Sequence, residues 1–323
     1  MASMDYVRWL RARIGPEPIW LVYATALIVN EAGHVLLQRR ADFEAWGLPG
    51  GVMEPGESLL QALHREVEEE TGLTVQVERL IGLYTSPDFM VHYPNGDTVH
   101  PVTACFLARP VGGALRPDGR ESLALQWFPQ QELPPLPRWY AAMIADYQRG
   151  DLAAAFRSGA PGRPLRSPGE TIWRLRERVG PATLVVPAAS AVIFNERGEI
   201  LLHRRSDNGR WGLPGGIMEI GERIDQTLVR EVAEETGLQV EPLRLVGLYT
   251  HPAWTVTYPN GDRSQPVVAC FEARITGGRL QADGIESLEV GFFPRDRLDE
   301  LLDVRWRVRI EDAVARYPYA VVM

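Results

Sequence analysis

The strongest constraint on this chain is one stretch that occurs twice. From Gly51 it reads GVMEPGESLLQALHREVEEETGL, ending at Leu73; from Gly216 it reads GIMEIGERIDQTLVREVAEETGL, ending at Leu238. The pattern rests on Gly51, Glu57, Arg65, Glu66, Val67, Glu69, Glu70, Gly72 and Leu73. Gly216, Glu222, Arg230, Glu231, Val232, Glu234, Glu235, Gly237 and Leu238 answer them. The offset is a constant 165 residues, and it holds without a gap from about residue 6 to residue 129. Arg13-Ile14-Gly15-Pro16, Trp46 through Gly51 and Tyr93 through Asp97 all return in register. Two copies at so long a period mean duplicated domains, not a solenoid.

Residues 58–71 have helical spacing, with Leu59, Leu63 and Val67 on one stripe and Gly72 placed to stop the helix. At about 100° per residue, Glu66, Glu69 and Glu70 fall in one sector beside that stripe. Glu68 points away. A lone Glu-rich run reads as a solvated helix face. Here the same acids recur at the apolar seam, each time behind a Leu-Pro-Gly-Gly entry. Like charges at these spacings cost roughly 0.2–0.5 kcal/mol per pair even on a wet helix. A divalent cation relieves the repulsion, and an all-oxygen cluster suits Mg²⁺ or Mn²⁺.

The repeated stretch resembles the signature of the Nudix hydrolases, and both copies are complete. The resemblance implies a hydrolase for a diphosphate linked to a second, nucleoside-like moiety: a nucleotide-sugar such as ADP-ribose, a nucleoside triphosphate or a CDP-alcohol. It implies Glu66, Glu69, Glu70 and the Gly50 carbonyl as Mg²⁺ ligands, with Glu231, Glu234, Glu235 and Gly215 in the second copy. It implies Glu57–Arg65 and Glu222–Arg230 ion pairs behind them, and a box Glu as general base. Glu121 and Glu286, in matching Asp-Gly-x-Glu-Ser-Leu loops, are either the extra acid of the family's sites or surface carboxylates. With Arg65 engaged by Glu57, no side-chain cation is left for the cluster, so at least one acid per site is expected to carry a raised pKa.

Other candidates lie outside the box. Arg39 or Arg40, and Arg204 or Arg205, could contact substrate phosphates or simply end a strand. Trp46, Tyr84 and Tyr93, with Trp211, Tyr249 and Tyr258, could stack on a base or pack in the core. Phe89 and Trp254 are candidate pocket residues. The six histidines share no position between copies, so chemistry common to both copies does not use them. Cys105 and Cys270 occupy one equivalent strand position and read as buried thiols.

Composition narrows the rest. All 34 basic residues are Arg, which removes Schiff-base chemistry and a P-loop Lys. A net charge of −8 without a long basic run argues against duplex nucleic acid. Two cysteines, no signal-like start and an apolar run (19–29) too short to span a membrane predict a cytoplasmic protein. The expected architecture is α+β: two tandem Nudix α/β/α sandwiches with mixed sheets. The first domain covers 1–150, a Pro/Gly-rich linker 151–170, and the second domain 171–323. Residues 317–323 read as an extra tail that packs on its own body or on the other domain. The chain is expected to act as a monomeric pseudo-dimer or as a homodimer. The rival reading pairs one catalytic domain with a nucleotide-binding sensor.

Overall fold

The computed structural model describes residues 6–41, 44–93 and 95–323. Pro94, within the repeated Tyr93–Asp97 segment, lies outside the described residues. In the first half, α1 (Tyr6–Ile14) leads into β1 (Ile19–Ile28), β2 (Val35–Arg40), β3 (Trp46–Gly47) and β4 (Gly50–Val52). Then come α2 (Leu59–Thr71), β5 (Leu73–Tyr84), β6 (Val91–His92), β7 (Thr98–Gly113), β8 (Ser122–Phe128) and α3 (Arg138–Gln148). The second half repeats this with α4 (Glu170–Val179), β9 (Thr183–Ile193), β10 (Ile200–Arg205), β11 (Trp211–Gly212), α5 (Ile224–Thr236) and β12 (Leu238–Tyr249). It continues with β13 (Val256–Thr257), β14 (Arg263–Gly278), β15 (Ser287–Phe293), α6 (Leu298–Leu301), α7 (Val304–Ala315) and β16 (Val321–Val322).

Each half holds a mixed sheet and a small antiparallel one. In the first, the order is β4-β1-β7-β5 with β6 on β7, and β3-β2-β8 beside it. β1 and β7 run parallel, which is why β1 reads as an apolar run, interrupted by Thr25, that is buried on both faces. In the second, β9 and β14 repeat the parallel pair, and β11-β10-β15 repeats the small sheet. The fold is the expected α+β arrangement of two tandem halves with mixed sheets. Among the described residues no helix is long and apolar enough to cross a membrane.

α2 forms as its spacing predicts. Ser58 and Gln61 close a capping box at its start, and Gly72 ends it at φ 72°. Leu59, Leu63 and Val67 are wholly buried. This anchoring fixes the rotation of the helix, and with it the direction of the three acids.

The tail was expected to be extra, and it is not. Val321 pairs in parallel with Gly247 on the edge of β12. Ala155, in the segment read as linker, makes the same parallel bridge to Gly82 on β5. Leu83 donates to the Ala155 carbonyl at 2.8 Å, and Ala155 donates to Ile81 at 2.9 Å. The tail is therefore the second copy's version of residues 154–156. An isolated edge bridge carries no periodic pattern, which hides it in the sequence. The linker then runs along the second domain, where Leu165 donates to the Ile220 carbonyl at 2.7 Å.

The halves pack as an isologous pair around a shared hydrophobic cluster that includes Ile19, Leu21, Leu184 and Val186. The polar contacts are reciprocal. Thr250 Oγ1 accepts from the Leu59 amide at the start of α2, and Thr85 Oγ1 accepts from the Ile224 amide at the start of α5. Gly56 donates to Gln265 Oε1, and Gly221 donates to His100 Nδ1, the residue aligned with Gln265.

Candidate active site

α2 and the Gly-rich entry to it place the first acid cluster. Arg65 donates to Glu57 Oε1 at 2.7 Å, to Glu66 Oε1 at 2.7 Å and to Glu69 Oε2 at 3.4 Å. It also donates to the Val52 carbonyl. Arg230 makes the same bonds to Glu222, Glu231 and Glu234. The expectation that Arg65 is taken up by Glu57 alone is corrected: a guanidinium fork has donors enough to reach three carboxylates. Gly51 and Gly216 make the space. A Cβ at either would lie 2.4 Å from the Glu66 or Glu231 carboxyl carbon.

Glu70 is the deepest acid, 2% exposed. The Gly50 amide donates to its Oε2 at 2.6 Å and Gln38 Nε2 at 3.0 Å. Arg40 approaches its Oε1 at 3.7 Å, and that atom is buried with no hydrogen-bond donor. Burial pushes Glu70 up to about 8, against the pull of Arg40 and the Gly50 amide. It likewise pushes Glu231 up to about 7 and Glu235 up to about 9. Glu66 is raised as well, again mainly by burial. The raised acids were expected from like-charge repulsion together with burial. Burial is the larger cause.

The arm from α3 was not foreseen. A cavity of about 770 Å³ opens beside the first cluster. Arg40, Gly51, Glu66, Glu69 and Glu121 line its polar end, and Phe89, Tyr93, Trp139, Tyr140 and Met143 its aromatic end. Of each arginine pair, the second member faces the acids. Arg40 lines the cavity while Arg39 is exposed, and Arg205 is held by Asp207 while Arg204 pairs outward with Glu289. Trp46 and Trp211 pack edge-on against Phe128 and Phe293, a packing role. Phe89 lines the cavity, and Trp254 lies against Tyr249 with ring centroids 6.1 Å apart. Glu286 is exposed, yet its carboxylate lies within 4.8 Å of those of Glu231 and Glu235. For Gly50 and Gly215 the visible contact is an amide donated to Glu70 or Glu235.

Sequence reasoning also missed the pair Gln38 and His203. Ser122 Oγ bonds to Gln38 Oε1, and His203 Nδ1 lies 2.7 Å from Ser287 Oγ and 3.5 Å from Glu235 Oε1. The signal was available: two hydrogen-bonding side chains at one aligned buried-strand position, within bonding reach of a serine shared by both copies.

A divalent cation fits these residues. The donors are all oxygen, three carboxylates converge in the second domain, and Glu70 keeps a buried oxygen with no donor.

The NUDIX domain family model matches residues 21–147 and again 185–314. The chain belongs to the Nudix family. It is a Nudix hydrolase with two family domains, and enzymes of this family generally use divalent metals on small nucleotide-like substrates. It is 32% identical over 127 residues to a MutT-like protein of Streptomyces ambofaciens, covering 39% of this chain and 75% of that one. It is 34% identical over 125 residues to an ADP-ribose pyrophosphatase of Methanocaldococcus jannaschii, covering 38% and 70%. It is 32% identical over 197 residues to a human 8-oxo-dGDP phosphatase, covering 54% and 56%.

Proposed function

We propose that both Nudix domains hydrolyse a diphosphate linkage between a nucleoside and a second moiety, each with its own Mg²⁺-dependent site. One observation carries this reading. The same buried carboxylate, Glu70 and Glu235, is built twice beside two further acids of one helical turn. Glu66, Glu69, Glu70 and the Gly50 carbonyl, and Glu231, Glu234, Glu235 and the Gly215 carbonyl, would hold the cation. Bound there, Mg²⁺ or Mn²⁺ supplies charge neutralisation for the diphosphate. Arg65 holds Glu66 and Glu69, and Arg230 holds Glu231 and Glu234, each Arg being tied in turn to Glu57 or Glu222. Arg40 faces the polar end of the first cavity, where a phosphate oxygen would lie. Glu69 and Glu121 line that end and are the carboxylates open to a water molecule whose proton must be removed. Phe89 and Tyr93 offer ring faces to the nucleoside or to its partner moiety.

A panel of ADP-ribose, 8-oxo-dGDP, 8-oxo-dGTP and CDP-choline with Mg²⁺, scored for nucleotide and phosphate products, tests the reading. It is supported by turnover that disappears on chelation. No product from any member with Mg²⁺ or Mn²⁺ sinks it. Activity lost entirely with Glu70→Gln alone or Glu235→Gln alone would leave one catalytic domain and one binding domain.

A further inference from the structure

The two sites differ at one buried position. Tyr84 Oη donates to Asp146 Oδ2 at 2.8 Å and Tyr249 Oη to Asp312 Oδ2 at 2.7 Å. These bonds put α3 and α7 in register and align Tyr140 with Trp306, which cover Gly47 and Gly212 respectively. The same register aligns Met143 with Arg309. Met143 is buried and lines the first cavity. Arg309 is 4% exposed, with its guanidinium 4.7 Å from the Trp306 ring centroid and 5.3 Å from that of Tyr249.

Among the described residues no carboxylate pairs with Arg309, and its Nε has no acceptor. Contrast Arg65 and Arg230, each saturated by acids. A residue that only filled space here would be apolar, as Met143 is. Burying an unpaired cation costs far more than burying a thioether, and stacking on two rings offsets only part of it.

We propose that Arg309 binds an anionic group on the ligand of the second site. That site then selects a nucleotide whose second moiety carries its own phosphate or carboxylate, while the first site, with Met143, takes a neutral one. The inference rests on the two-site reading above.

The test is calorimetric binding by the full chain with Ca²⁺ in place of Mg²⁺, so it does not depend on turnover. The probes are two matched pairs, UDP-glucose with UDP-glucuronate and ADP with ATP. In the wild type one class of site, the second, should bind the more anionic member of a pair more tightly. Arg309→Met should weaken that member at least about tenfold and change the other less than about twofold. Met143→Arg should strengthen the anionic member at the first site, and Arg309→Lys should keep part of the preference. The Lys variant and the reverse substitution serve if Arg309→Met fails to fold. No preference in the wild type, or equal weakening of both members by Arg309→Met, overturns the proposal. Loss of hydrolysis with the binding preference intact would instead overturn the two-site reading alone.

Discussion

Glu70 and Glu235 carry opposing demands: each is buried to 2–3% exposure, yet each is needed as an anion if a cation is to bind. Their folded pKa values, about 8 and about 9, lie above the ordinary 4.5. A group raised in this way contributes stability that is full below pH 4.5 and is lost as pH rises through 8 to 9. The metal-free protein should therefore lose thermal stability between about pH 5 and pH 9. Saturating Mg²⁺ should flatten that slope, as should the Glu70→Gln/Glu235→Gln double variant. Unfolding curves that keep the slope in the double variant would place its cause elsewhere. In turnover, each single Gln variant should keep part of the activity, and the double variant should lose at least about a hundredfold. Gly51→Ala is a finer probe, because its Cβ would meet the Glu66 carboxyl carbon at 2.4 Å. In a Glu235→Gln background it should cost on the order of a hundredfold in first-site turnover. An undiminished rate there would show that Glu66 is not held to one position. The acids themselves were legible because helical spacing fixes a sector. Arg65 reaching Glu66 and Glu69 as well as Glu57 was not, since sequence gives no rotamer, and Gln38 and His203 were masked by their unlike chemistry.

The box helices are capped partly from outside their own domain. Thr85 Oγ1 takes the Ile224 amide at 3.0 Å, and Thr250 Oγ1 takes the Leu59 amide at 3.2 Å. Both amides are buried at the domain junction, where water cannot replace the lost acceptor. Thr85→Ala and Thr250→Ala should each destabilise by about 0.5–2 kcal/mol, read as a drop in the thermal midpoint. Because the bonds run between domains, each variant should also weaken the coupling of the two unfolding transitions. A variant with an unchanged midpoint would make these caps dispensable. Helices and long strands were readable from periodicity and from the gap-free offset. The edge bridges at Ala155 and Val321 were not, because a two-residue pairing leaves no period to find. Trp46 and Trp211 show the same limit from the other side. Their aromatic character fits both a stacking platform and a core, and only the neighbouring Phe128 and Phe293 decide for the core.

At the scale of the whole molecule, duplication lets one position be solved in two chemical ways. Gln265 accepts from the Gly56 amide at 2.8 Å and donates to the Glu57 carbonyl at 2.7 Å. His100, its counterpart, accepts from the Gly221 amide at 3.1 Å through Nδ1. Its Nε2, 2.9 Å from the Thr85 carbonyl oxygen, then carries the proton and donates. That pattern needs a neutral ring, since a protonated Nδ1 would point a second donor at a donor. Burial lowers the His100 pKa from 6.5 to about 4. The sign follows: the unfolded chain takes up a proton near pH 6.5 while the folded chain resists until about 4. The stability owed to the neutral ring is thus full above pH 6.5 and lost as pH falls towards 4, at most about 3 kcal/mol by linkage. His100→Gln copies the solution of the other domain and removes the titration. The variant should match the wild type near pH 7 and outlast it near pH 4.5 in thermal unfolding. His203, also lowered to about 4, is present in both proteins and cancels in the difference. Parallel curves for the two proteins across that range would mean that His100 is not what loosens the junction in acid.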